Sequence, residues 1–84
     1  MSTLTIRLYA AAADAAGTHE LTVQLEKPSR PLAEVLEELS QRGESLQRVC
    51  RQSSFLVNGT RTPVEKGTVA AGDVVDVLPP FAGG

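Results

Sequence analysis

Leu32-Ala33-Glu34-Val35-Leu36-Glu37-Glu38-Leu39 is the stretch from which the fold can be read. Leu32, Val35, Leu36 and Leu39 stand at i, i+3, i+4 and i+7, so a helix here draws one apolar stripe. Pro31 suits the first helical turn, where its missing N–H is no loss, and Glu34 lies near the positive N-terminal end. Gly43 reads as the C-terminal stop. Leu46, Val49 and Cys50 repeat the i, i+3, i+4 spacing and predict a second, shorter helical piece.

On the N-terminal side the period changes to two. Leu4, Ile6 and Leu8 alternate with Thr5, Arg7 and Tyr9, as in a half-buried strand. Leu21, Val23 and Leu25 alternate with Glu20, Thr22 and Gln24, and two such neighbouring runs predict an antiparallel pair. Between them Ala10 to Ala16 is too short for an independent helix, so a loop containing a helical turn is expected, ending at Gly17. On the C-terminal side, Ser54 to Val57 runs into Asn58-Gly59, a tight-turn signal. Arg61 and Thr62 begin the return limb, which Pro63 limits. Gly67 and Gly72-Asp73 mark further turns. Val74 to Leu78 is the last strand, with Val75 and Val77 on one face and Val74, Asp76 and Leu78 on the other. Pro79-Pro80 ends it, since neither proline donates to a ladder. The order β-β-α-β-β predicts an α+β roll, a mixed sheet packed on one main helix. Residues 1–80 are expected as one domain and residues 81–84 as a flexible C-terminal tail.

The 84 residues suffice for one modest core, and the hydrophobic fraction of 42% argues against disorder. Aromatic residues make up 4% and the net charge is −2, so neither base-stacking platforms nor a basic stripe for phosphates is present. No nucleic-acid partner is expected. No apolar run approaches the roughly 20 residues of a membrane span. No leader segment is visible, and a soluble, cytoplasmic, reducing setting is the simplest expectation. The one cysteine, Cys50, makes no intrachain disulfide and no paired-thiolate metal site.

Residues for ordinary catalysis are few. His19 reads as a solvated loop residue, Cys50 as a small buried hydrophobe, and Glu34, Glu37 and Glu38 as a solvated helix face rather than a metal site. No phosphate-binding glycine motif occurs. The C-terminus stands apart. A terminal Gly-Gly pair arises by chance in about one chain in 200, and its setting adds weight. A strand, a Pro-Pro stop and Phe81-Ala82 lead to Gly83-Gly84, a tail thin enough to thread a narrow channel. The prolines stiffen its base and lower the entropy lost on docking. Tyr9, Val74 and Leu78 point away from the helix, with Phe81 nearby, and predict an apolar partner surface beside the tail.

With these features in hand, the chain resembles the ubiquitin-like sulfur carriers of the β-grasp fold, and within them the small subunits of molybdopterin synthase. The resemblance rests on Ile6-Arg7-Leu8-Tyr9-Ala10, the alanine-rich stretch to Gly17, the helix Leu32 to Leu39, Val57-Asn58-Gly59, Gly72-Asp73-Val74-Val75 and, most specifically, Pro79-Pro80-Phe81-Ala82-Gly83-Gly84. It implies a cycle in which an adenylating activating enzyme (MoeB-like) uses ATP on the carboxylate of Gly84. A sulfur donor, such as a cysteine desulfurase or rhodanese, then yields a thiocarboxylate. The tail enters the large synthase subunit (MoaE-like) of a heterotetramer and passes sulfur to cyclic pyranopterin monophosphate. Acid–base groups come from that subunit, and this chain binds no cofactor or metal directly. The resemblance places Tyr9 and Leu78 on the face that packs against the large subunit, with Val74 and Phe81 beside them. Arg61 is expected on the same interface, at a position that is apolar in some relatives, and Ala13 stands where many carry arginine. Relatives that carry sulfur for thiamine thiazole or cysteine synthesis share the fold and the Gly-Gly end, and a protein modifier joined to lysines through Gly84 is a further alternative.

Overall fold

The computed structural model describes residues 2–80. The chain runs β1 (Ser2–Leu8), α1 (Ala11–Ala16), β2 (Glu20–Leu25), β3 (Ser29–Pro31), α2 (Leu32–Ser40), α3 (Glu44–Arg51), β4 (Ser54–Val57), β5 (Thr60–Arg61), β6 (Thr68–Ala70) and β7 (Val74–Leu78). Five strands form one sheet in the order β2-β1-β7-β4-β5, and β3 pairs with β6 in a second, two-stranded sheet. β1 and β7, from opposite ends of the sequence, lie side by side and parallel, whereas β1–β2, β4–β7 and β4–β5 are antiparallel. This is the expected α+β roll with a mixed sheet, and α2 is its main helix.

Alternation decides the core. Leu4, Ile6, Leu8, Val75 and Val77 are buried on one face of the sheet, and Val23, Leu25 and Phe55 extend that face to the neighbouring strands. The stripe of α2, Leu32, Val35, Leu36 and Leu39, closes over it, and Leu46 and Cys50 of α3 complete the cluster. Each large aliphatic side chain removed from water here contributes about 1.5–3 kcal/mol.

Three local expectations are revised, and one strand pair is added. The Ala10–Ala16 stretch is a six-residue helix, not a loop with a helical turn. Its packing explains this: Ala12 and Ala13 are buried, and Gly17 closes it in the left-handed conformation. Gly43 does not end α2. That helix ends at Ser40, whose hydroxyl bonds back to the Leu36 carbonyl, and Gly43 instead leads into α3, accepting from the amide of Gln47. Pro31 precedes α2 and ends β3, and the first helical amide, Leu32 N–H, donates to the Gly67 carbonyl at 2.9 Å. The β3–β6 pair is new altogether. Three residues are too few for an alternation to show, and their pairing depends on residues almost 40 positions apart (Arg30 opposite Val69). The Asn58-Gly59 turn forms as expected, with φ of 51° and 84° at the two positions.

Candidate functional site: the outer sheet face and the root of the tail

Pairing register determines what meets on the sheet face away from the helices. Arg7 lies opposite Glu20 on one side and Asp76 on the other; Asp76 lies opposite Leu56, and Leu56 opposite Arg61. One row therefore crosses the five strands as Glu20, Arg7, Asp76, Leu56, Arg61. Val74 and Leu78 flank Asp76 along β7, on the same face because side chains alternate.

Asp76 is the buried polar residue of this face, 5% exposed. Its carboxylate accepts a bidentate pair from Arg7, Nε to Oδ1 at 2.7 Å and Nη2 to Oδ2 at 3.1 Å, and the Tyr9 hydroxyl donates to Oδ1 at 3.3 Å. A buried carboxylate is tolerated only when paired and hydrogen-bonded in this way. The hydrogen bond that Arg7 donates to Asp76, followed by the carboxylate's charge, raises the Arg7 guanidinium pKa above the ordinary arginine value.

Tyr9 reaches this site through an unusual backbone. β1 ends at Leu8, and Ala10 adopts φ 49°, ψ −124°, the region glycine prefers at the first central position of a type II′ turn. The turn is closed by the Ala12 amide donating to the Tyr9 carbonyl at 3.0 Å. The tight turn holds Tyr9 at the strand end, the residue 39% exposed and its hydroxyl within hydrogen-bond reach of Asp76.

Of the residues expected on the partner surface, Tyr9 and Arg61 are exposed, and Val74 and Leu78 are half-buried. Pro79 is half-buried and Pro80 exposed where the chain leaves β7. Phe81, Ala82, Gly83 and Gly84 lie outside the described residues. The face is less apolar than the sequence suggested, because the Arg7–Asp76 pair occupies its centre. Leu56, half-buried beside that pair, was not anticipated as part of the face. A lone aspartate inside Val-Val-Asp-Val-Leu was a visible signal, but its partner is 69 residues away and only register reveals it.

The other candidates keep structural roles. His19 is exposed, and its carbonyl accepts from the Leu8 amide. Cys50 is buried, and burial pushes its thiol up, away from the reactive thiolate form. Glu34 and Glu38 flank Arg30 at 3.6 and 3.3 Å, an ion-pair clasp from α2 to β3. Ala13, at 6% exposure, is a core contact of α1. Among the described residues no group of three or more His, Cys, Asp or Glu side chains is placed to hold a metal ion. No helix among them is long and apolar enough to cross a membrane.

A mixed sheet with parallel first and last strands, grasping one principal helix, defines a ubiquitin-like β-grasp protein. The chain belongs to the ThiS family, which it matches over residues 6–84. Comparison with curated proteins gives no match. Among solved structures it is similar to the small archaeal modifier protein 1 of Methanosarcina acetivorans, at 26% identity and a TM-score of 0.77, covering 100% of this chain and 98% of that one. It is also similar to a protein of Pyrococcus furiosus described as molybdopterin converting factor, subunit 1, at 21% identity and a TM-score of 0.80, covering 96% of this chain and 100% of that one. A third likeness is to the complex of subunits 1 and 2 of molybdopterin-converting factor from Helicobacter pylori, at 17% identity and a TM-score of 0.66, with 98% and 99% of the two chains covered.

Proposed function

We propose that this chain is a sulfur carrier whose working group is the carboxylate of Gly84, and that it serves molybdopterin synthesis as the small, sulfur-donating subunit of a two-protein synthase. The observation that carries the reading is that the family match extends through Gly84, the last residue of the Pro79-Pro80-Phe81-Ala82-Gly83-Gly84 ending. A carboxylate is a poor electrophile until one oxygen becomes a leaving group. Attack of that oxygen on the α-phosphorus of ATP, with pyrophosphate leaving, makes an acyl-adenylate. A sulfur donor then displaces AMP, and the thiocarboxylate that results delivers sulfur to cyclic pyranopterin monophosphate. The activating enzyme and the large synthase subunit supply the acid–base groups. This chain supplies the thin tail and the outer sheet face of Tyr9, Leu56, Val74 and Leu78 as the docking surface.

Intact-mass measurement of the protein purified with its activating enzyme and sulfur donor tests the carrier role. The expected product is heavier by the exchange of one oxygen for one sulfur, and the gain disappears when Gly84 is removed. Failure to find that species under sulfur-replete conditions removes the reading. Reconstitution of the sulfurated chain with the large synthase subunit and cyclic pyranopterin monophosphate tests the pathway, and sulfur transfer to a thiazole precursor instead moves the chain to thiamine synthesis. The similarity to a small archaeal modifier favours a second reading, attachment to lysines through Gly84. Lysines of cellular proteins carrying, in isopeptide linkage through Gly84, the segment from Gly67 to Gly84 that trypsin leaves after Lys66 would establish it.

A further inference from the structure

We propose that the activating protein which receives Gly84 presents a carboxylate to Arg61 and hydrogen-bond acceptors to the outward edge of Arg7, so that this face selects its partner by charge as well as by apolar contact. The inference rests on the carrier reading above and deepens it.

Arg7 spends one Nε and one Nη2 N–H on Asp76. A guanidinium carries five N–H donors, and the others meet no acceptor among the described residues; the side chain is 50% exposed. Water satisfies those donors while the face is open. A wholly apolar partner would strip that water and replace it with nothing, so the covering surface must offer oxygen acceptors.

Arg61 makes the stronger demand. Among the described residues its guanidinium meets only Ser54 Oγ, at 3.4 Å, and no carboxylate lies within bridging distance. Ser54 is the residue opposite Leu78, so this positive charge stands at the root of the tail. Ser54 Oγ accepts from Arg61 and keeps its own proton to donate. Beside the two runs an open cleft of about 400 Å3, lined by Ser53, Ser54, Phe55, Arg61, Thr62 and Pro63, gives room for an acidic side chain. A carboxylate there would take a charge-assisted hydrogen bond from Arg61, whose planar fork suits bidentate pairing, and a second bond from Ser54.

The tail's reach brings the activating protein to this face, because its adenylating centre must hold the Gly84 carboxylate itself. Four residues beyond Pro80 span at most about 14 Å fully extended. A catalytic centre that holds the Gly84 carboxylate must therefore lie within about 14 Å of Pro80, and Arg61, bonded to the Ser54 that lies opposite Leu78, stands beside that root.

Steady-state ATP–pyrophosphate exchange by the activating enzyme of the same genome, with the full-length chain varied and NaCl raised, tests this. Arg61→Glu is expected to raise the KM for the carrier about tenfold or more while kcat holds. Arg61→Lys, which keeps the charge, falls between it and the unaltered chain. The double variant Arg7→Leu/Asp76→Ala, which removes the pair without stranding a buried carboxylate, also raises KM. The KM of the unaltered chain rises with salt, and that of Arg61→Leu rises less. Thermal melting checks folding, and if the double variant unfolds the Arg61 series decides alone. Unchanged KM for the Arg61 variants, with Leu78→Asp raising it, overturns selection by charge and leaves the docking face standing. Unchanged KM for Leu78→Asp as well overturns the face and the inference together. Absence of exchange with the unaltered chain overturns the carrier reading and this inference with it.

Discussion

Gly67 shows how much one residue can hold in place. In the sequence it reads as one turn glycine among several, but it is buried, and a Cβ added there would lie 2.8–2.9 Å from Leu32 and Thr62 side-chain carbons. Its carbonyl also accepts from the first amide of α2, so the missing side chain lets the helix start approach this loop. Gly67→Ala is expected to cost about 1–3 kcal/mol in urea denaturation through overpacking. Thr62→Ser in the same chain should recover part of it by removing the methyl that lies 2.9 Å away. Cys50 illustrates a residue whose burial sets its chemistry. Burial raises its thiol pKa, so the native state holds that proton more tightly than the unfolded chain does. The resulting contribution to stability is whole below about pH 8.5, the ordinary thiol value, and is lost as pH climbs past it. Stability measured across about pH 7 to 10 should fall less steeply for Cys50→Val than for the native chain.

Among the elements, the turn between β4 and β5 ties the outer sheet face to the core. Asn58 accepts a positive φ, its amide Nδ2 donates to Asp73 Oδ1 at 3.0 Å, and its Oδ1 accepts from the Val74 amide at 2.9 Å. Asp73 in turn accepts from the Ala70 amide at 2.8 Å, so one turn pins the start of β7 and the end of β6. Asn58→Ala should lower stability by about 1–3 kcal/mol, from lost hydrogen bonds and a strained backbone. Asn58→Gly, which keeps the backbone freedom, should lose less, and denaturation of the two variants separates the causes. The element most legible in sequence was α2, whose stripe of Leu32, Val35, Leu36 and Leu39 is wholly buried. The least legible were β3 and β6, because a three-residue strand has no period of its own and forms through its distant partner.

At the scale of the whole molecule, the proposed carrier role divides labour between a core and the tail. Residues from Leu4 to Val77 supply the buried cluster. Removing Gly84 should therefore leave the melting temperature unchanged while abolishing pyrophosphate exchange, because the reacting carboxylate moves back one residue and falls short of the catalytic centre. A matched loss of stability and activity would show instead that the tail supports the fold. The tail was legible in the linear chain because Pro79-Pro80-Phe81-Ala82-Gly83-Gly84 is a run of adjacent residues and is read without a tertiary partner. The face beside it was legible only in part. Tyr9, Val74 and Leu78 announced themselves by alternation, whereas the Arg7–Asp76 pair and the place of Leu56 required the strand order.

Sequence alone determined the periods, and with them the helix, the strand faces, the Asn58-Gly59 turn and the Gly-Gly terminus, because each of these is governed by residues within a few positions of one another. Tertiary structure decided which strands are neighbours. Hydrogen-bonded pairing of β1 with β7 joins positions some 70 apart, as Arg7 and Asp76 show. No local pattern encodes that register, so the charge at the centre of the face and the arginine at the tail's root come into view only once the sheet is assembled.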